Sequence, residues 1–234
     1  MAALKDEAIR RWWPTTQSLD LVEEFASAVA HAVHAEFTRI LKGEPVELSR
    51  HRLPDLAAAF RNATDFHNVP TYMLALPTRS KWTVLWNNSF LCDGYDSLCA
   101  NLTSRHGLTT IHWSAHDTWT ASQSGAHFTH RKLVDGAVIK RSVAAAQNDK
   151  SWAFEAYGEA LPEENLVEYE ARRKRDRLNE GTLMALLERL GARPWCGNFY
   201  ALPEQECFSI HRPFPPSTVL ARPRSEVLRP LQQD

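Results

Sequence analysis

Glycine is scarce: nine in 234 residues. None falls into G-x-x-x-x-G-K-[ST] or G-x-G-x-x-G, so the backbone loops that cradle nucleotide phosphates are missing. Excess charge is missing too. Lys plus Arg number 27 and Asp plus Glu 28, for a net charge of −1 and a pI near 6.8. That gives no global electrostatic case for nucleic acid or an anionic membrane as partner. No apolar run approaches the ~18–20 residues of a membrane span. The four cysteines, Cys92, Cys99, Cys196 and Cys207, include no C-x-x-C pair, which excludes the usual zinc-knuckle and thioredoxin spacings. Residues 1–13 carry Lys5, Asp6, Glu7, Arg10 and Arg11 and no apolar core, unlike a secretory signal. The expectation is a cytoplasmic protein with reduced thiols, no cofactor and no membrane partner.

What is present reads as an α+β domain built on an antiparallel sheet, a meander flanked by N-terminal and C-terminal helices, over residues 1–212. A Pro-rich tail follows over 213–234. Residues 1–68 read as a helical layer. Asp20 and Glu23 form a capping-box pattern, and Leu21, Phe25, Val29, Val33, Phe37 and Ile40 recur at helical spacing up to Gly43. A second helix is expected from Pro54 to Asn62. Residues 70–158 read as sheet. Strands are expected over 71–76, 81–86 and 109–114, with a helix from Asp93 to His106 closed by Gly107. Phe128–Val134 and Ala137–Ala144 flank Asp135-Gly136, the dipeptide that a type I′ hairpin demands because both turn residues need positive φ. Trp152–Tyr157 adds a third meander strand. Residues 161–191 read as a helical pair: a polar helix over 163–179, then 182–190 with Leu183, Leu186, Leu187 and Leu190 as its apolar stripe. Beyond Arg193 the chain reads as irregular, packed by Trp195, Phe199 and Tyr200.

The candidate chemistry is thin. His112 and His116 form H-x-x-x-H, with His127 nearby, but Trp113 stands where a zinc hydrolase carries glutamate. In an extended segment the two imidazoles lie ~13 Å apart, too far for one metal. No metal ligand set and no catalytic set is therefore expected; the alternative is a metal-dependent hydrolase or transferase built on this His-rich region. No G-x-S-x-G elbow occurs. Cys99, on the apolar side of its helix, reads as a core residue. Arg172, Arg173, Lys174 and Arg175 follow Glu163, Glu164, Glu168 and Glu170, the order that a helix dipole and i,i+4 pairing favour. Trp82 and Trp86 share parity and hence one sheet face. Trp119 sits among polar neighbours and is the better candidate for an exposed anchor.

One pattern spans the middle of the chain. It runs through Trp82-Thr-Val-Leu-Trp86, a short helix, Leu108–His112, the Asp135-Gly136 hairpin, Trp152-Ala-Phe-Glu155 and Gly158-Glu-Ala-Leu-Pro162. This order resembles small bacterial α+β immunity proteins that partner polymorphic or contact-delivered toxins, over about residues 72–190. The resemblance implies a non-enzymatic protein that neutralises a cognate toxin domain by direct binding. Such a surface would draw on Trp119, His116, Asp117, Glu163, Glu164, Arg172 and Arg173.

Overall fold

The computed structural model describes residues 17–62, 72–87, 96–116, 125–148 and 151–212. Strands dominate. They are β1 (Gln17–Glu23), β2 (Glu47–His51), β3 (Tyr72–Pro77), β4 (Trp82–Asn87), β5 (Thr110–His116), β6 (Gly125–Val134), β7 (Ala137–Asn148), β8 (Ser151–Tyr157) and β9 (Cys207–His211). All join one antiparallel sheet in the order β2-β9-β3-β4-β1-β5-β6-β7-β8. The helices are α1 (Ala26–Ile40), α2 (Leu56–Asn62), α3 (Asp96–His106), α4 (Lys174–Arg177) and α5 (Glu180–Arg189).

The sheet is apolar on both faces across β9, β3, β4 and β1. One face presents Val22, Met73, Ala75, Leu85, Phe208 and Ile210 to Val29, Ala30 and Val33 of α1 and to Leu98 and Leu102 of α3. The other presents Leu19, Leu21, Trp82, Trp86, Trp113 and Phe128 to Phe60 of α2 and to Leu183, Leu186 and Leu187 of α5. Trp82 and Trp86 share that second face, as their parity requires. A sheet covered on both sides needs strands that are apolar at nearly every position, and β4 is buried along its whole length.

The helical reading of residues 1–68 is corrected at both ends. Gln17–Glu23 is the central strand β1, paired with β4 and β5, and Glu47–His51 is the edge strand β2. The Asp20/Glu23 pattern is no cap, because Asp20 lies inside the strand. The helix begins at Ala26, after Phe25 in extended backbone. The polar helix over 163–179 is absent as well. That stretch holds only a 3₁₀ turn, Leu166–Glu170, and the four-residue α4. A helix polar all round has no face to bury. The second helix of that pair stands as α5, with a reciprocal cap in which Asn179 Oδ1 accepts from the Gly181 and Thr182 amides and Thr182 Oγ1 accepts from the Asn179 amide. The region beyond Arg193 is not wholly irregular: β9 threads between β2 and β3. The Pro-rich tail, 213–234, lies outside the described residues.

The hairpin expectation holds. Asp135 has φ 50° and Gly136 φ 78°, the paired left-handed geometry of a type I′ turn.

Candidate functional site

Hydrogen-bond register shows where β6 and β7 leave the sheet. β5 stops pairing with β6 at Thr110↔Arg131, and β8 stops pairing with β7 at Tyr157↔Ser142. β6 and β7 continue together through Lys132↔Ile139, Leu133↔Val138 and Val134↔Ala137. Among the described residues, 132–140 are thus a two-stranded arm that pairs only with itself. Alternation puts Leu133 and Val138 on one face and Ile139 on the other. All three are exposed, at 38%, 42% and 45%. Lys132 and Lys140 are exposed beside them. Tyr157, 70% exposed, ends β8 at the base of the arm. Within the 3₁₀ turn that follows β8, Leu166 and Val167 are exposed at 52% and 73%.

The arm is anchored by a buried ion pair. Arg141, at its root, donates from Nε to Glu164 Oε1 at 2.9 Å and from Nη2 to Glu164 Oε2 at 2.7 Å. Its Nη1 donates to the Gly158 carbonyl at 2.8 Å. Glu164 also accepts from the Leu161 amide and from the Tyr169 hydroxyl, each at 2.8 Å. The carboxylate side chain is 0% exposed and the guanidinium side chain 6%. Burial alone would push the Glu164 pKa up; the Arg141, Leu161 and Tyr169 hydrogen bonds outweigh it and hold the pKa below the ordinary glutamate value. Burial and the Glu164 hydrogen bond push the Tyr169 phenol beyond the usual range.

Glu164 was expected on a partner-binding surface, but its carboxylate is enclosed and fully used inside the fold. Glu163 is half-buried and its carbonyl accepts from Arg189. Arg172 and Arg173 are exposed, with Arg173 paired locally to Asp176 at 2.7 Å. His116 is the last residue of β5, opposite Gly125. Asp117 and Trp119 lie outside the described residues. Apolar side chains on both faces of the Asp135-Gly136 hairpin tip are the sequence signal for the arm.

A second group lies on the face shared with α1 and α3. Register aligns Asp20, His112, Thr129 and Ser142 across β1, β5, β6 and β7. The next row aligns Ser18, Ser114, His127 and Ala144. His112 Nδ1 lies 2.7 Å from Asp20 Oδ1, and the His112 and His127 ring centroids are 5.6 Å apart. His127 Nε2 is 3.0 Å from Thr129 Oγ1 and 3.3 Å from Ser142 Oγ. Arg131 Nη2 donates to Asp96 of α3 at 2.7 Å. Burial opposes charge on His112, but the Asp20 hydrogen bond and charge prevail and raise its pKa. Burial, then the neighbouring His112 charge, lowers His127 to about 4. Burial and Asp20 raise the Cys99 thiol well above its ordinary value, so that cysteine is an inert core thiol.

Among the described residues no group of three or more His, Cys, Asp or Glu is placed to hold a metal ion. None of their helices is long and apolar enough to cross a membrane. Comparison with protein-family models, with curated proteins and with solved structures finds no match.

Proposed function

We propose that the chain is a binding protein that neutralises a bacterial toxin domain by direct contact, and that the β6–β7 arm is the element that docks. The observation that carries this reading is the exposure of Leu133, Val138 and Ile139 on a hairpin that reaches past both neighbouring strands. An isolated two-stranded ribbon is marginal by itself. Apolar side chains on both of its faces stabilise it only when a partner covers them, and contiguous exposed apolar surface marks such sites. Lys132, Lys140, Arg172 and Arg173 supply exposed cations for the rim of an interface. A stable complex needs about 1,600 Å² in total, more than the arm alone offers, so flanking surface such as Tyr157, Leu166 and Val167 takes part. The immunity role rests on the resemblance described above.

The test is retrieval of the tagged full chain from its native host at physiological salt, with identification of the co-purifying chain. A toxin-type partner that is lost in a Leu133→Asp/Ile139→Asp variant of unchanged melting temperature supports the reading. Equal retention of that partner by the variant removes the arm from the interface, and a partner with no toxic activity removes the immunity role.

A further inference from the structure

The two edges of the sheet differ in kind. β2 carries Glu47 and Arg50, both exposed, within five residues, the charged sort of edge that resists pairing with other chains. β8 lacks that protection. Its seven residues, Ser-Trp-Ala-Phe-Glu-Ala-Tyr, hold one charge and no proline. Its register with β7 runs from Asn148↔Ser151 to Ser142↔Tyr157 without a bulge. Among the described residues no strand lies on its outer side, where every second residue turns its N–H and C=O outward. α4 and the 3₁₀ turn meet this strand on its face, through the Phe154 side chain. Arg177 stands 5.4 Å over the Phe154 ring, and Tyr169 packs against it at 5.3 Å. Glu155 and Ala156 are exposed.

We propose that β8 is a dimerisation edge, on which a second copy of the chain lays its own β8 antiparallel about a two-fold axis at Phe154. The strand fits itself in that register. Phe154 meets its copy, Trp152 faces Ala156, and Ala153 faces Glu155. Away from the aromatic pair at the centre, Trp152 and Glu155 thus each lie opposite an alanine. A two-fold interface demands such self-complementarity, because the same surface serves both subunits. Phe154 is held in place by Tyr169 and Arg177, so the ring is ordered before a copy arrives, and an aromatic cross-strand pair stabilises a sheet. Other centres fit less well. A two-fold at Glu155 sets like charges opposite each other, and one at Ala153 pairs only residues 151–155. With the axis at Phe154 the two Glu155 side chains lie diagonally, about 7–8 Å apart. They are exposed there, where water and salt screen them.

The pairing uses residues 151–157 only. The arm, residues 132–140, continues past the end of β8, so it stays outside the paired edge. Antiparallel pairing puts the two arms at opposite ends of the paired strands, and the dimer presents both. A seven-residue edge is smaller than the roughly 1,600 Å² of a standard stable interface. The dimer is therefore expected to form with a micromolar Kd.

The experiment is sedimentation velocity of the full chain from about 1 to about 500 µM, a span that brackets a micromolar Kd. The mass is expected to rise with concentration from 26.6 kDa toward twice that value. Substitutions at residue 153 then read the register. Ala153→Glu sets a carboxylate opposite Glu155 on both sides of the axis, and Ala153→Lys sets an ammonium there. With two cross-strand pairs per dimer, the first is expected to raise Kd about 2- to 30-fold and the second to lower it by a similar factor. Ala153→Glu/Glu155→Lys restores opposite charges and is expected to bring Kd back to near the wild-type value. A wild type that stays monomeric over the whole range overturns the proposal. A dimer whose Kd is unmoved by Ala153→Glu and Ala153→Lys, or moved by both in the same direction, overturns it too. Damage to the fold at residue 153 shifts both variants alike, whereas the pairing shifts them apart. A double variant as weak as Ala153→Glu also overturns it.

Discussion

Removing the Glu164 carboxylate isolates what the buried pair at the root of the arm contributes. Glu164→Ala strips four donors of their acceptor: Arg141 Nε, Arg141 Nη2, the Leu161 amide and the Tyr169 hydroxyl. It also leaves a guanidinium that is 6% exposed without its counter-charge. Breaking a buried pair from one side costs about 3–5 kcal/mol. For a domain near 200 residues that lowers the melting midpoint by about 6–20 °C, at about 2–4 °C per kcal/mol. The assay is paired urea and thermal unfolding, read by circular dichroism, with Glu164→Gln as the shape-preserving comparison. Arg141→Met/Glu164→Leu removes both charges and recovers part of the loss; the Leu161 amide, the Tyr169 hydroxyl and the Gly158 carbonyl account for the remainder. The pH dependence has a definite sign. The folded pKa of Glu164 lies below its unfolded value, so its contribution is complete above the unfolded carboxylate range and fades as pH falls through the folded value. Glu164→Gln should flatten that acid limb. A loss in Glu164→Ala of less than about 1 kcal/mol, the worth of a surface ion pair, would refute the argument.

Four further outcomes follow from the same coordinates. Gly158 has φ +82°, and a Cβ there would sit 2.1 Å from the Lys140 carbonyl oxygen. Gly158→Ala should therefore cost more than the roughly 1–2 kcal/mol of left-handed backbone alone, visible in the melting midpoint. Glu36, 2% exposed, bridges α1 and α3 through Arg39, Arg105 and His106; the partners it leaves are exposed enough to be hydrated, so Glu36→Ala should cost about 1–2 kcal/mol and speed hydrogen exchange in both helices, and unchanged exchange would argue against the clamp. Asp20→Asn should lower the His112 pKa, read by imidazole NMR titration. Because the folded His112 pKa is raised, its stabilising share is whole below the unfolded value and disappears as pH rises through the folded one, so the variant loses stability on the acid side of that window. Phe128→Ala, at a fully buried position, should cost about 3–5 kcal/mol in urea unfolding.

Local pattern read the fold well where pattern and burial agree. Asp135-Gly136 specified its hairpin because only one turn type suits that dipeptide, and α5 was legible from its leucine stripe. β1 was not, because Asp20 stands in the middle of a central strand. A buried acid there looks like a cap until His112, 92 residues away in sequence, supplies its partner. The stretch 163–179 misled in the opposite sense. Its i,i+4 charges suit a helix, but Glu164 is claimed by Arg141 across 23 residues, and that contact outweighs pairs worth a few tenths of a kcal/mol. β2 and β9 were missed because each is five residues long and pairs at a distance. The candidate site fared similarly. The histidines were visible singly, but the aligned rows exist only through register, and the arm becomes an arm only where β5 and β8 stop.

The place of β9 bears on how the chain is made. Among the described residues β2 has no neighbour other than β9, and β9 separates it from β3. A nascent chain can join β3, β4, β1 and β5 as soon as those residues leave the ribosome. Residues 47–51, though synthesised early, gain their strand partner among the described residues only when residues 207–211 emerge. At about 5–20 residues per second that leaves an unpaired strand waiting for roughly ten seconds or more. Its sequence, Glu-Leu-Ser-Arg-His, carries charge of both signs and only one large apolar side chain. That composition suits a segment that has to stay unstuck to other nascent chains during the wait.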